Sequence, residues 1–76
     1  MNPQIHADNV KLMQDWPINR GIVETSSFGY RYGHVVGYRS TPYIIESELQ
    51  LIVKFSDIDG VEYVNPKDSG FSYTTI

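Results

Sequence analysis

Between Phe28 and Tyr38 the chain carries four aromatic side chains, Phe28, Tyr30, Tyr32 and Tyr38, with Arg31 set among them and Arg39 directly after. Flat rings interleaved with guanidinium groups suit two kinds of recognition. Rings can stack on the bases of a single-stranded nucleic acid while the cations meet its phosphates, and rings grouped on neighbouring loops can surround a cationic side chain. Asp57, on a later loop, adds a carboxylate. Phe28, Tyr30, Arg31, Tyr32, Tyr38 and Asp57 are therefore the candidate ligand-binding residues.

Catalytic patterns are weaker. His34 is the only histidine in the strand-rich part of the chain. A catalytic base needs an orienting partner and a concave site, and no Ser-His-Asp or Glu-x-x-His spacing accompanies it, so a solvent-facing strand histidine is the expected role. Asp57, Asp59, Gly60 and Glu62 lack the third ligand position and the terminal glutamate of a calcium loop and read as a turn. Glu46 and Glu48, two apart, would share one face of a strand and guard an edge against aggregation. Gly29 and Gly33 have neither a third glycine nor a following helix, so no phosphate loop is present. No catalytic residue, metal ligand or cofactor is assigned.

Composition sets the bounds within which these residues act. The chain has 76 residues, 41% hydrophobic and 13% aromatic, enough for one small domain and too few for two cores. It contains no cysteine, which removes disulfides, thiolate zinc sites and thiol nucleophiles, so packing or association must stabilise the fold. Six basic against nine acidic residues give a net charge of −3, the wrong sign for a general phosphate-backbone binder but compatible with a local basic patch. Four of the six basic residues are Arg20, Arg31, Arg39 and Lys54, and the three arginines flank or lie within the aromatic stretch. No apolar run is long enough for a membrane span, and the first residues lack the features of a signal peptide, so a cytoplasmic location is expected.

The elements that must position the candidates fall into two parts. Residues 1–19 hold both methionines, the only tryptophan and two of the four prolines, and show no strand-like alternation. They are expected to form an N-terminal arm, either flexible or helical. In the helical case Asp8 caps a helix over Asn9 to Asp15, pairing Val10 with Met13 or Leu12 with Trp16, and Pro17 stops it. From Arg20 onward, short β-branched and aromatic runs alternate with Gly, Pro, Ser and Asp, as in a small all-β domain. Strands are expected at Arg20–Thr25, at Gly33–Arg39 with an internal glycine that marks a bulge, at Leu49–Phe55 with Leu49, Leu51, Val53 and Phe55 on one face, at Val61–Val64 after an Asp-Gly hairpin, and at Phe71–Thr75. Ser26 to Tyr32 reads as a loop, Ser40-Thr41-Pro42 as a turn, Tyr43 to Glu48 as edge strand or loop, and Asn65 to Asp68 as a turn or one helical turn. Five strands over residues 20–76, joined in this order, lay out a small SH3-like barrel.

Two resemblances follow from particular residues. Val53-Lys54-Phe55-Ser56-Asp57-Ile58-Asp59-Gly60-Val61-Glu62-Tyr63-Val64 resembles the third and fourth strands of Tudor-type modules, with Gly33-His34-Val35-Val36 in place of the second. The resemblance implies an SH3-like barrel and an aromatic cage for methylated lysine or arginine, to which Phe28, Tyr30, Tyr32, Tyr38, Phe55 and Asp57 could contribute. From the residues themselves, Phe55 is expected in the core, and Tyr30 and Tyr32 could equally cover an open barrel end.

Gly33-His34-Val35-Val36-Gly37-Tyr38 is similar to the G-x-I-V-G-W strand of plasmid-type (type II) dihydrofolate reductases. Those enzymes are small SH3-like subunits that form a tetrameric pore lined by a V-Q-I-Y strand. Val61-Glu62-Tyr63-Val64 stands at that strand here, and the family's pore lysine falls near Thr25. Four Glu62 carboxylates around a shared pore would repel a polyanionic cofactor. This resemblance therefore carries the fold and a tendency to oligomerise, not the reaction.

Together these readings predict a non-catalytic binding module that recognises a protein or peptide through an aromatic loop face. The alternatives are a divergent oligomer binding a small molecule in a shared pore, or a single-stranded nucleic-acid binder.

Overall fold

A computed structural model describes residues 3–40, 49–67 and 71–76. Helix α1 (Pro3–Asp15) precedes strands β1 (Gly21–Ser26), β2 (Gly29–Ser40), β3 (Leu49–Phe55), β4 (Glu62–Val64) and β5 (Ser72–Thr75). The strands form one antiparallel sheet in the order β4-β3-β2-β1-β5. The described ladder is open, with β4 and β5 as its two edges. No described helix is long and apolar enough to cross a membrane.

Long strand β2 organises this sheet. Residues Gly29 to His34 pair with β1, whereas Gly33 to Ser40 pair with β3, so the two ladders overlap only at Gly33 and His34. At this junction the chain needs a residue without a side chain. A Cβ on Gly33 would lie 2.5 Å from the Lys54 carbonyl oxygen and 3.0 Å from the Phe55 Cα, both backbone atoms that cannot swing aside. Further along, the register slips between Val35 and Gly37, which places the expected bulge beside Gly37, the internal glycine of the expected strand. Val36 is the extra residue. Because of it, Val35 and Tyr38 both reach the core side although they are three apart.

Alternation then builds the core. Ile22 on β1, Val35 on β2, Leu51, Val53 and Phe55 on β3 and Val64 on β4 are buried together, with Leu12, Trp16, Tyr38, Ile58 and Tyr73 packed around them. The predicted face of β3 is present, with Leu49 half-buried at its start. Helix α1 closes one end of the core. It begins earlier than the sequence pattern indicated, with Pro3 at its first position, where a missing N–H costs nothing. Asp8 consequently lies inside the helix and does not cap it. Of the two possible apolar pairs, Leu12 and Trp16 face the core, while Val10 and Met13 are exposed. Two hydrogen bonds tie this end together: the Tyr38 hydroxyl donates to the Trp16 carbonyl at 2.6 Å, and the Leu49 N–H donates to Asn9 Oδ1 at 3.0 Å. Asn19, with φ of 72°, turns the chain into β1, its N–H donating to the Val35 carbonyl at 2.7 Å.

Loop expectations needed two corrections. The stretch from Ser26 to Tyr32 is mostly strand, because β1 and β2 are joined by Ser27 and Phe28 alone. A strand residue can extend an existing ladder at little cost, and Tyr30 and Tyr32 favour strands. The connection from β3 to β4 is also longer than a two-residue Asp-Gly hairpin, running from Ser56 to Val61. Gly60 lacks the positive φ that such a turn demands. At the Asn65 turn, the Lys67 N–H donates to Asn65 Oδ1 at 2.9 Å. Residues 41–48, with the Thr41-Pro42 turn and the Glu46/Glu48 pair, and Asp68 lie outside the described residues.

Candidate functional site

The six candidate residues do not meet at one place. Since Tyr30, Arg31 and Tyr32 are strand residues, alternation sends Arg31 to one side of β2 and its two tyrosine neighbours to the other. Register defines the sides. Arg31 lies opposite Glu24, which alternates with the buried Ile22, so both face inward. Tyr30 and Tyr32 lie opposite Thr25 and Val23 and face outward, 68% and 54% exposed. Phe28, at the hairpin tip, is 97% exposed. Tyr38 is at the far end of β2, half-buried beneath Trp16, and burial raises its phenol pKa above the ordinary value. Its hydroxyl is engaged and its ring is core, so it does not belong to the aromatic face.

On the inner side, Arg31 is the hub of a network. Its Nη1 donates to Glu24 Oε1 at 3.2 Å and Glu62 Oε2 at 2.9 Å, and its Nε and Nη2 donate to the two Asp57 carboxylate oxygens at 3.0 and 3.3 Å. The planar fork is well suited to bind one carboxylate in a bidentate fashion while its remaining donors reach two others. Its carbon atom Cζ lies 4.1 Å from the centroid of the Phe55 ring, which adds a cation–π contact beneath it. The bonds to Glu62 and Asp57 hold Arg31 firmly in its charged form, and the same contact with Arg31 lowers the pKa of Asp57. Glu24 is buried, and the Tyr73 hydroxyl donates to its second oxygen at 3.1 Å.

Arg31, Glu24 and Glu62 of this network form the floor of an open groove of about 730 Å³ between β4 and β5, flanked by Phe28, Phe71 and Tyr73 and, at the β4 edge, by Arg39, Gln50 and Tyr63. Chemically the floor is self-satisfied. Each carboxylate in it already accepts from Arg31, and no buried side-chain nitrogen or oxygen among the described residues lacks a partner. The arrangement pins β1, β4 and the β3–β4 connection to one cation, which is a structural task. Among the described residues no group of three or more His, Asp or Glu side chains could hold a metal ion.

The outer side has a different composition. Along β2 the outward residues are, in order, Tyr30, Tyr32, His34, Val36 and Arg39. His34 therefore faces solvent, and Val35 takes the core position. Lys54 lies opposite His34, and its ammonium donates to the Phe55 carbonyl at 3.0 Å and to the Ile58 carbonyl. Arg39 donates from Nε to Gln50 Oε1 at 3.0 Å while its guanidinium lies flat on Tyr63, 3.4 Å from the ring centroid.

Compared with known proteins, the chain matches no family model, no curated protein and no solved structure. Function must be argued from these two faces. Phe55 and Asp57, assigned to a cage by resemblance, are occupied by the core and by Arg31. Glu24, Glu62 and Tyr73 complete the network and were not among the candidate residues. A signal was present for Glu24: it shares a strand face with Ile22, and a carboxylate on a core face requires a cation.

Proposed function

We propose that this chain is a small non-catalytic binding module whose partner lies as an extended chain along the outward side of β2. The observation that carries the reading is the pair of exposed tyrosines at alternate positions of β2, held there by the ladder to β1, which β5 backs in turn. Rings held by a strand backbone already have fixed directions, so a partner gains large contact areas at small entropic cost. The surface differs from the loop face expected from sequence: Tyr30 and Tyr32 stay in it, Phe28 flanks the groove on the other side, and Arg31, Asp57 and Tyr38 support the scaffold behind it.

The SH3-like barrel reading is supported by the sharing of β2 between two half-sheets, by the bulge at Gly37, and by the way β4 and β5 face each other across the groove. Such an arrangement leaves the outer side of β2 as a continuous track.

The test is a paired selection on the immobilised chain, with a random-peptide display library and a random pool of single-stranded oligonucleotides. Ligands selected on the native chain should lose at least about tenfold in affinity for the Tyr30→Thr/Tyr32→Thr double variant, in which threonine preserves strand preference. Selected ligands that bind this folded variant at full strength would place the site elsewhere.

A further inference from the structure

We infer that the extended chain accepted by β2 is a single-stranded nucleic acid, an inference that rests on the binding-module reading above. Charge is segregated between the two sides of the sheet. The net charge of −3 describes the whole chain, but the carboxylates are not evenly placed. Both acidic residues on the described strands, Glu24 and Glu62, face inward and are bound to Arg31. The remaining described acids are Asp8 and Asp15 on α1, and Asp57 and Asp59 in the β3–β4 connection. The outward strand positions hold Lys54 and Arg39 and, among the described residues, no carboxylate. A polyanion meets a cationic sheet face although the protein as a whole is acidic, and the local field decides that contact.

The stacking groups are spaced in step along one strand. Tyr30, Tyr32 and His34 occupy alternate positions of one strand and so stand about 7 Å apart in a row. Every base has a π face, and rings arranged in sequence accept successive bases with little regard to identity. Arg39 stands further along the same outward side, its guanidinium reaching across β3 to Tyr63 on β4 at the rim of the groove. Stacked on Tyr63 and held by Gln50, its guanidinium is already planar against a ring and keeps further N–H donors for a phosphate or a base edge. Hydroxyls of Thr25, Ser72 and Thr74 lie across the sheet from the tyrosines, on the same outward side. A duplex hides its base faces and cannot use this row.

The expected salt dependence follows from the two strand cations. Each phosphate neutralised on a single strand contributes a slope of about −0.7 in log K against log salt, so Lys54 and Arg39 together give about −1.4. Affinity should then fall roughly sevenfold between about 50 and 200 mM salt.

The experiment measures fluorescence anisotropy of a labelled oligothymidylate of about 15 nucleotides, and of a duplex of equal length, with the native chain, with Tyr30→Thr/Tyr32→Thr and with Arg39→Gln. Circular dichroism confirms that each variant is folded. Binding of the single strand in preference to the duplex, a salt effect of roughly that size and a loss of at least about tenfold in the tyrosine variant are the expected results. Arg39→Gln should bind more weakly and with a shallower salt slope. Absence of binding up to about 100 µM protein, or equal binding of the duplex, overturns the inference. If at the same time library-selected peptides depend on Tyr30 and Tyr32, the docking row stands and its occupant is a peptide. Oligonucleotide binding that is untouched in the tyrosine variant overturns both readings.

Discussion

Arg31 and its two neighbours, Tyr30 and Tyr32, are consecutive in sequence and belong to different worlds in the fold. On the inner side of β2, a cation is surrounded by three carboxylates and a ring, with each of its three nitrogens bonded within the molecule. On the outer side, two phenols are more than half exposed. A mixed aromatic and basic run is therefore not one surface when a strand carries it. A period of two separates its members, and the charged member, facing inward, must then be neutralised locally.

The comparison breaks most severely if an inner residue can be lost without cost. Phe55 is fully buried and lies beneath Arg31, so Phe55→Ala should destabilise the fold by about 3–5 kcal/mol, measured by urea or thermal unfolding. A loss below about 1 kcal/mol would show that the inner side is not the core. Arg31→Ala comes next. It leaves Glu24, whose side chain is 8% exposed, without its cation and beside Glu62, and about 3 kcal/mol should be lost, at the low end for a broken buried pair because Arg31 itself is partly exposed. Adding Glu24→Gln to that variant should recover part of the loss, since the stranded charge is then removed. Equal instability of the single and double variants would mean that Arg31 acts by packing alone.

Acid should act on the inner side only. The Asp57 carboxylate has its pKa lowered from an ordinary value of 3.8 by Arg31, so it takes up protons more readily in the unfolded chain. Its contribution to stability is complete above that ordinary value and is lost as pH falls through the lower folded value. Unfolding free energy should therefore decline below about pH 4, and Asp57→Asn should flatten this decline. An unchanged acid profile in Asp57→Asn would remove the ion pair from the account.

Much of this architecture was legible before any coordinates. The alternation in Leu49–Phe55 revealed the central strand because all four of its inward positions, Leu49, Leu51, Val53 and Phe55, are apolar, and the internal glycine of β2 marked the bulge. Residues 28–32 were harder to read. Gly29, two exposed tyrosines and an arginine resemble a loop by composition, and the inward member of their alternation is a charged residue, so no apolar stripe announced a strand. Its burial depends on Glu24, seven residues away across the β1–β2 hairpin, and on Asp57 and Glu62, distant in sequence, which meet Arg31 only after β2, β3 and β4 have paired. Likewise, the choice between Val10/Met13 and Leu12/Trp16 on α1 is made by the surface on which the helix docks, not by helical spacing, which both pairs satisfy.

Tyr38 and the outer tyrosines give the finest test, because all three residues are phenols on one strand. Tyr38→Phe removes a 2.6 Å hydrogen bond to the Trp16 carbonyl in a half-buried setting and should cost about 1 kcal/mol, with no effect on partner binding. The Tyr30→Thr/Tyr32→Thr pair should do the reverse. Its stability should change by less than about 0.5 kcal/mol, because both side chains face solvent and threonine keeps the strand preference. A melting temperature that falls as far as that of Tyr38→Phe would show that the outer rings are packed against part of the fold. The outer row would then be scaffold like the inner one, and the alternation of β2 would separate two kinds of packing instead of packing from recognition.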